Sequence, residues 1–239
     1  MTIRPLPDTD LARIAPLPDD LKREQLQKIR SVKITITYRP VRSSLDDIFN
    51  LQSPLLGPTT ATPWNQIEEI ISKRARHQDE LKSNLAAAKA LHSFADEYSA
   101  VSRRHEFYPL PMQIGQKVSL WLPMISVLAG KPYALYVDPR RSTGLNENGR
   151  RFAFSMMHQR IRAADDDFSE IGLGIIRLSS PKTGNSRIVR FHTDAGIALY
   201  SIEELEEMVA STYRIWQEIC EERTFEERRK GTGTAGPLI

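Results

Sequence analysis

The stretch YALYVDPRRSTGLNENGRR, residues 133–151, decides the fold that we predict for this chain. Its first part places Tyr133, Leu135 and Val137 on alternate positions and ends at Asp138, which is the pattern of a β-strand. A proline and two pairs of arginines follow, around a loop that contains glycine. A carboxylate at a strand end beside clustered guanidinium groups is typical of a phosphate-handling site. It is equally typical of an ordinary exit from a strand, because Asp-Pro often opens a turn, and both interpretations stay open.

Apolar periodicity on both sides of this stretch predicts the other elements of the fold. A capping box of Ser201 and Glu204 predicts the start of the last helix. The predicted helices lie at 19–29, 44–51, 64–98, 146–163 and from 201 to about 230. The predicted strands lie at 32–38, 106–114, 117–127, 132–138, 171–179 and 186–192.

This order of elements predicts an α/β protein with a central mixed β-sheet flanked by helices. We divide the chain into an N-terminal segment with a proline-rich linker at 1–63, an α/β domain at 64–230 and a flexible tail at 231–239. The prolines at positions 40, 54, 58 and 63 are the reason for placing the boundary there.

The composition limits the class of protein and its surroundings. The chain has 239 residues, of which 40% are hydrophobic and 26% are charged, as in ordinary globular proteins. One cysteine, Cys220, excludes an internal disulfide. No apolar run reaches the roughly 18 residues that span a bilayer, and the first residues lack the apolar core of a signal peptide. We therefore expect a cytoplasmic protein with no membrane partner.

The charge is distributed unevenly along the chain. Residues 100–160 contain nine Lys and Arg against three Asp and Glu, whereas residues 161–239 contain ten against fourteen. The basic middle part is suited to attract phosphate. Arginines that are simply solvated at the surface explain the same numbers equally well.

The order of elements from residue 64 resembles that of the restriction-endonuclease-like nucleases, the PD-(D/E)XK superfamily. The resemblance places Asp138 at the acid of the third strand and Arg140 at the position of the family's lysine. It implies that Asp138 and Glu106 bind Mg²⁺ and that, with Arg140, they form the catalytic set of a metal-dependent nuclease. The family's other acid is expected near residues 120–123, where this chain has none, so whether such a domain is active stays open. The resemblance also implies a setting in bacterial defence or in a mobile element.

The basic residues around the loop are predicted to contact nucleic acid, because guanidinium groups form bidentate hydrogen bonds with phosphate. A nearby tyrosine is predicted to stack on bases. No helix-turn-helix, zinc-finger or RNA-binding motif distinguishes DNA from RNA. The main prediction is thus a nucleic-acid-binding protein with a nuclease-like domain. The predicted contact residues are Tyr136, Arg140, Arg141, Arg150 and Arg151.

The alternative is a non-enzymatic function. The last helix has an acidic face of Glu203, Glu204, Glu206 and Glu207, and the helix predicted at 64–98 is amphipathic. Such surfaces are typical of a protein-interaction subunit or adaptor, which binds a protein partner or a second copy of itself.

Overall fold

The computed structural model describes residues 5–29, 36–52, 60–112, 115, 117–181 and 186–231, with side chains through residue 226. Within these ranges the chain is a mixed α/β protein with a six-stranded sheet between two layers of helices. This confirms the fold class predicted from the sequence. The α-helices are α1 (Asp8–Ile14), α2 (Asp19–Lys28), α3 (Arg39–Arg42), α4 (Leu45–Ile48), α5 (Trp64–Arg74), α6 (Gln78–Glu97), α7 (Glu147–Met157) and α8 (Ile202–Gly231).

The main sheet is mixed, with the strand order β1-β2-β5-β6-β7-β8. The pairs β1/β2 and β6/β7 are parallel, and the other neighbours are antiparallel. A separate two-stranded sheet pairs β3 with β4. The strands are β1 (Leu51–Gln52), β2 (Val101–Arg104), β3 (Leu110–Pro111), β4 (Lys117–Val118), β5 (Met124–Leu128), β6 (Lys131–Asp138), β7 (Gly172–Ser179) and β8 (Ile188–Thr193).

Strand β6 lies in the middle of the sheet and is buried on both faces. Ala134 and Tyr136 belong to a core that also contains Phe152 of α7, whereas Leu135 and Val137 belong to a second core on the opposite face. Successive side chains of a strand point to opposite faces, so a strand covered on both sides needs apolar residues at every position. The crossover through α7 then places β7 parallel to β6.

The N-terminal helix α2 packs against the C-terminal helix α8. The ammonium group of Lys22 donates to the hydroxyl of Ser211 at 2.5 Å, and Arg23 forms ion pairs with the carboxylates of Glu218 and Glu222. Leu26 of α2 is fully buried in the same core as the apolar side of α8. The described part of residues 1–63 is thus continuous with the cores of the larger part, and the proposed domain boundary stays a prediction.

The single helix predicted at 64–98 is wrong, because the structure divides it into α5 and α6. Ala75 has an extended backbone, and the imidazole Nδ1 of His77 accepts the backbone N–H of Glu80 at 3.3 Å. The carboxylate of Glu80 in turn accepts the backbone N–H of Arg76 at 2.9 Å. These two hydrogen bonds cap the N-terminal end of a new helix, which begins at Gln78.

The predicted strands at 106–114 and 117–127 are also wrong in their extents. The structure instead has β2, which ends at Arg104, before the first predicted segment. The two predicted segments pair only in the short strands β3, β4 and β5. Pro109 and Pro123 lie outside the paired segments, whereas Pro111 is the last residue of β3 and is paired with Lys117. The predicted strand at 32–38 lies largely outside the described residues, and residues 36–38 are not in a strand.

Several predictions made from local signals are confirmed. Strands β6, β7 and β8 lie within two residues of the predicted bounds. The capping box at α8 forms in both directions, because Glu204 accepts from the N–H of Ser201 at 2.7 Å and the hydroxyl of Ser201 accepts from the N–H of Glu204 at 3.2 Å. Among the described helices, none has both the length and the apolarity needed to cross a membrane.

Candidate functional site

Asp138, the predicted metal ligand, is the last residue of β6 and is fully buried. One carboxylate oxygen accepts the backbone N–H of Arg140 at 3.2 Å, and the other accepts the backbone N–H of Leu145 at 2.7 Å. Burial raises the pKa of Asp138, and these two hydrogen bonds act against that rise. The carboxylate therefore holds the loop that follows β6 against the end of the strand.

Two other predicted site residues connect helix α1 to the sheet. The guanidinium group of Arg140 forms a bidentate ion pair with the carboxylate of Asp10, with nitrogen–oxygen distances of 2.6 and 2.8 Å. The hydroxyl of Tyr136 lies 2.5 Å from the hydroxyl of Thr9, and the tyrosine ring is buried. Arg140 is thus neutralised within the chain, and Tyr136 is not placed to stack on a base.

The remaining predicted arginines have separate partners. The Nε group of Arg141 donates to the hydroxyl of Ser180 at 2.7 Å, and the guanidinium carbon of Arg151 lies 3.7 Å from the centre of the Tyr200 ring. A guanidinium nitrogen of Arg150 donates to a backbone carbonyl oxygen at 3.4 Å. The structure therefore does not bring the four predicted arginines together as one phosphate-binding surface.

Glu106 is exposed, in the segment that follows β2, whereas Asp138 is buried at the end of β6. Within the described ranges, no group of three or more His, Cys, Asp and Glu side chains is arranged to hold a metal ion. The described residues thus offer no cluster of this kind for the Mg²⁺ that the resemblance implied.

The sequence analysis missed a basic cluster beside α7, which we call the β7–β8 arginine cluster and define as Arg150, Arg177, Arg190 and His192. Arg177 and Arg190 are directly opposite each other on β7 and β8. The only sequence signal was the alternation of Arg190 and His192, and the register between the two strands is needed to relate them to Arg177.

Asp8 in the first turn of α1 is a carboxylate with a shifted titration. Burial raises its pKa to about 6, against the opposing effects of the Arg42 charge and a hydrogen bond with the backbone of Ser119. Ionisation of Asp8 therefore lowers the free energy of unfolding, because the carboxylate is buried only in the folded state.

We expect Asp8→Asn to stabilise the fold at high pH. The folded-state pKa lies above the unfolded value of about 3.9. The stability that the protonated Asp8 contributes is therefore fully present below the unfolded value and is lost as the pH rises through about 6. At pH 8 the free energy of unfolding of the variant should exceed that of the wild type by roughly 1–2 kcal/mol, a figure reduced for partial solvation of the carboxylate. Near pH 4 this difference should disappear. Urea unfolding at both pH values measures this. The exposed Asp20→Asn in α2 is the control, and equal curves for wild type and Asp8→Asn at pH 8 would contradict the prediction.

Together these observations define a mixed α/β protein in which the predicted catalytic residues Asp138 and Arg140 form structural hydrogen bonds and an ion pair, whereas Glu106 is exposed. The chain belongs to the SocB family, since the family model described as sliding clamp-binding bacterial toxin SocB matches residues 9–226. It is similar to the DNA replication inhibitor toxin SocB of Caulobacter vibrioides (strain NA1000 / CB15N), with 36% identity over 228 residues that cover 95% of each chain. No solved structure matches the chain.

These findings overturn the main functional prediction. The family is described by its binding to the sliding clamp, so the prediction of a nucleic-acid-binding, nuclease-like protein is wrong. Nothing in the comparisons supports a DNA or RNA partner or a magnesium-dependent reaction. They favour the alternative, a protein-interaction function, and the expected bacterial setting agrees with the family's description.

Proposed function

We propose that this chain binds the bacterial sliding clamp and thereby inhibits DNA replication. The observation that carries the proposal is the match to the replication inhibitor over nearly the full length of both chains. A protein that acts on the replication clamp works in the cytoplasm, as expected from the sequence. The expected second copy of the chain remains a separate prediction.

An exposed segment around Tyr108 is the surface that we propose for the clamp contact. The side chain of Tyr108 is 68% exposed, between β2 and β3. Tyrosine and arginine are enriched among the residues that dominate protein interfaces. Arg160 lies beside it, with the Nε group donating to the carbonyl oxygen of Tyr108 at 2.6 Å and the guanidinium group 5.9 Å from the ring centre.

The segment is held in position from beneath. His105 and Phe107 have ring centres 4.4 Å apart, and both contact the ring of Phe168. The indole N–H of Trp121 donates to the carbonyl oxygen of Phe107 at 2.9 Å. A surface that is already ordered before binding loses less conformational entropy when a partner arrives, which supports this segment as a docking site.

Calorimetric titration of the purified sliding clamp into the full chain tests both parts of the proposal. We expect saturable binding, with Tyr108→Ala weakening the affinity at least about tenfold, as for an interface hot spot. Phe225→Ala is the matched control, because Phe225 is an equally exposed aromatic residue at the end of α8. A wild-type chain with no affinity for the clamp would overturn the proposed function. Normal binding by Tyr108→Ala would overturn only the proposed surface.

A cellular measurement tests the inhibition itself. Induced expression of the chain in a bacterium that carries the cognate clamp should stop incorporation of labelled thymidine, and extra clamp should restore it. Continued incorporation at full expression would contradict the proposal.

We also propose the finer fold assignment, a restriction-endonuclease-like core without nuclease function. The order of antiparallel β2, β5 and β6, followed by α7 and the parallel strand β7, supports this assignment. Superposition of an experimental structure on nuclease cores tests it, and a different strand order or direction would contradict it.

A further inference from the structure

The β7–β8 arginine cluster brings four basic side chains together on one face of the sheet. Arg177 and Arg190 are cross-strand neighbours, and His192 lies two positions from Arg190, so all three project from the same face. Arg150 comes from the first turns of α7. The guanidinium groups of Arg150, Arg177 and Arg190 all act electrostatically on the imidazole of His192.

Two nitrogen atoms that can donate hydrogen bonds are buried in this cluster without a partner. The Nε atom of Arg177 and the Nε2 atom of His192 have almost no solvent contact, and neither has a hydrogen-bond partner among the described residues. Within the same ranges, neither Arg177 nor Arg190 forms an ion pair. Buried polar groups are nearly always hydrogen-bonded, so such atoms call for a physical explanation.

The carboxylates near the cluster balance only part of its charge. Asp138 lies next to Arg177 in the sheet register and acts on it electrostatically, while its two oxygens accept the loop N–H groups described above. Glu147 acts on Arg150 from the same turn of α7. Burial, together with the three arginines, lowers the pKa of His192. The excess of positive charge is therefore concentrated and partly shielded from water.

The loop after β6 closely approaches the cluster at Gly144. A Cβ atom at this position would lie 2.6 Å from a carboxylate oxygen of Asp138 and 2.9 Å from Nε of Arg177. The loop backbone can come this near only because residue 144 has no side chain. The approach restricts the positions of both side chains.

We propose that Arg150, Arg177, Arg190 and His192 form a binding site for a single phosphate group. A tetrahedral dianion offers acceptors to several guanidinium N–H groups at once and provides partners for the two buried donors. The site suits one phosphate group and not a nucleic-acid backbone, because Arg140, Arg141 and Arg151 are committed to other partners. This site is separate from the proposed clamp contact at Tyr108.

Nuclear magnetic resonance of the His192 ring tests the proposal directly. The full chain is titrated with inorganic phosphate and, in a second arm, with glycerol phosphate, against sodium chloride at equal ionic strength. We expect saturable shifts with phosphate and an increase in the His192 pKa of about one unit, since a nearby anion favours the protonated ring. Binding of both probes indicates a phosphate ester as the ligand, and binding of inorganic phosphate alone indicates the free ion. Identical shifts in chloride overturn the proposal.

Variants locate the binding. Arg190→Gln removes an exposed side chain, which the fold does not need for packing, and should weaken phosphate binding at least about tenfold. Arg177→Gln should weaken it further, with thermal unfolding used to check the fold. Arg103→Gln on β2, which also removes an exposed arginine but lies several strands away, is the control for net charge. Unchanged affinity in Arg190→Gln, or an equal loss in Arg103→Gln, overturns the assignment.

Discussion

Replacing Glu80 with alanine is expected to lower the free energy of unfolding by about 3 kcal/mol, because the carboxylate is a buried acceptor for several groups at once. The residue is only 1% exposed. One oxygen accepts from the backbone N–H and the hydroxyl of Thr37, at 2.9 and 2.8 Å, and from the guanidinium group of Arg76 at 2.6 Å. The other accepts from the backbone N–H of Arg76. Alanine leaves these donors without their partner.

Urea unfolding at pH 7 measures the loss. Glu69→Ala is a matched control, since Glu69 is an exposed glutamate on α5 that, among the described residues, forms its ion pair with Lys73 one turn away. The control should leave the free energy of unfolding nearly unchanged, because an ion pair between exposed side chains contributes little. Equal midpoints for wild type and Glu80→Ala would show that the junction between α5 and α6 does not depend on this carboxylate.

The effect of Glu80 also depends on pH. The hydrogen bond from Arg76, helped by those from Thr37, holds the pKa of Glu80 well below its usual value. A lowered folded-state pKa means that the contribution is present above the unfolded pKa of about 4.3 and is lost as the pH falls below it. The stability difference between the wild type and Glu80→Gln should therefore shrink between pH 6 and pH 3.

Replacing Asp138 with alanine should lower the free energy of unfolding by roughly 2–4 kcal/mol, because the buried N–H of Leu145 and the N–H of Arg140 lose their acceptor. Asp138→Asn should lower the free energy of unfolding less, by about 1 kcal/mol, since the amide oxygen of asparagine keeps one of the two hydrogen bonds. The substitution also removes a charge whose burial is unfavourable. Urea unfolding measures both variants.

Asp166→Ala provides the control for this second prediction, because Asp166 is an exposed acid at the start of a short 3-10 helix before β7. Its replacement should be close to neutral. We expect Asp138→Asn to bind the sliding clamp normally when it is folded. An alanine variant as stable as the wild type would contradict the assigned role of Asp138 in holding the loop.

The sequence predicted those parts of the fold that depend on local signals. The apolar runs of β6 and β7 and the capping box of α8 are such signals, and all three form. The break between α5 and α6 was missed because it depends on Glu80, whose carboxylate binds Thr37 more than forty residues away. A periodic pattern carries no information about such distant partners.

The site was harder to predict for the same reason. Asp10, which neutralises Arg140, lies 130 positions away in the chain. Arg177 meets Arg190 only through the register of two strands, which a sequence pattern does not specify. The proposed interaction function does not require catalytic groups at a fixed spacing, so the spacing of chemical groups in the sequence did not indicate it.

The contact between α2 and α8 has a consequence for synthesis of the protein. Lys22 meets Ser211, and Arg23 meets Glu218, across about 190 positions. While the ribosome is still translating, the first helices have no final helix to cover Leu26, and the core on that side cannot close. A nascent or prematurely terminated chain therefore exposes apolar surface to chaperones and proteases, so cells can degrade an incomplete chain before it folds.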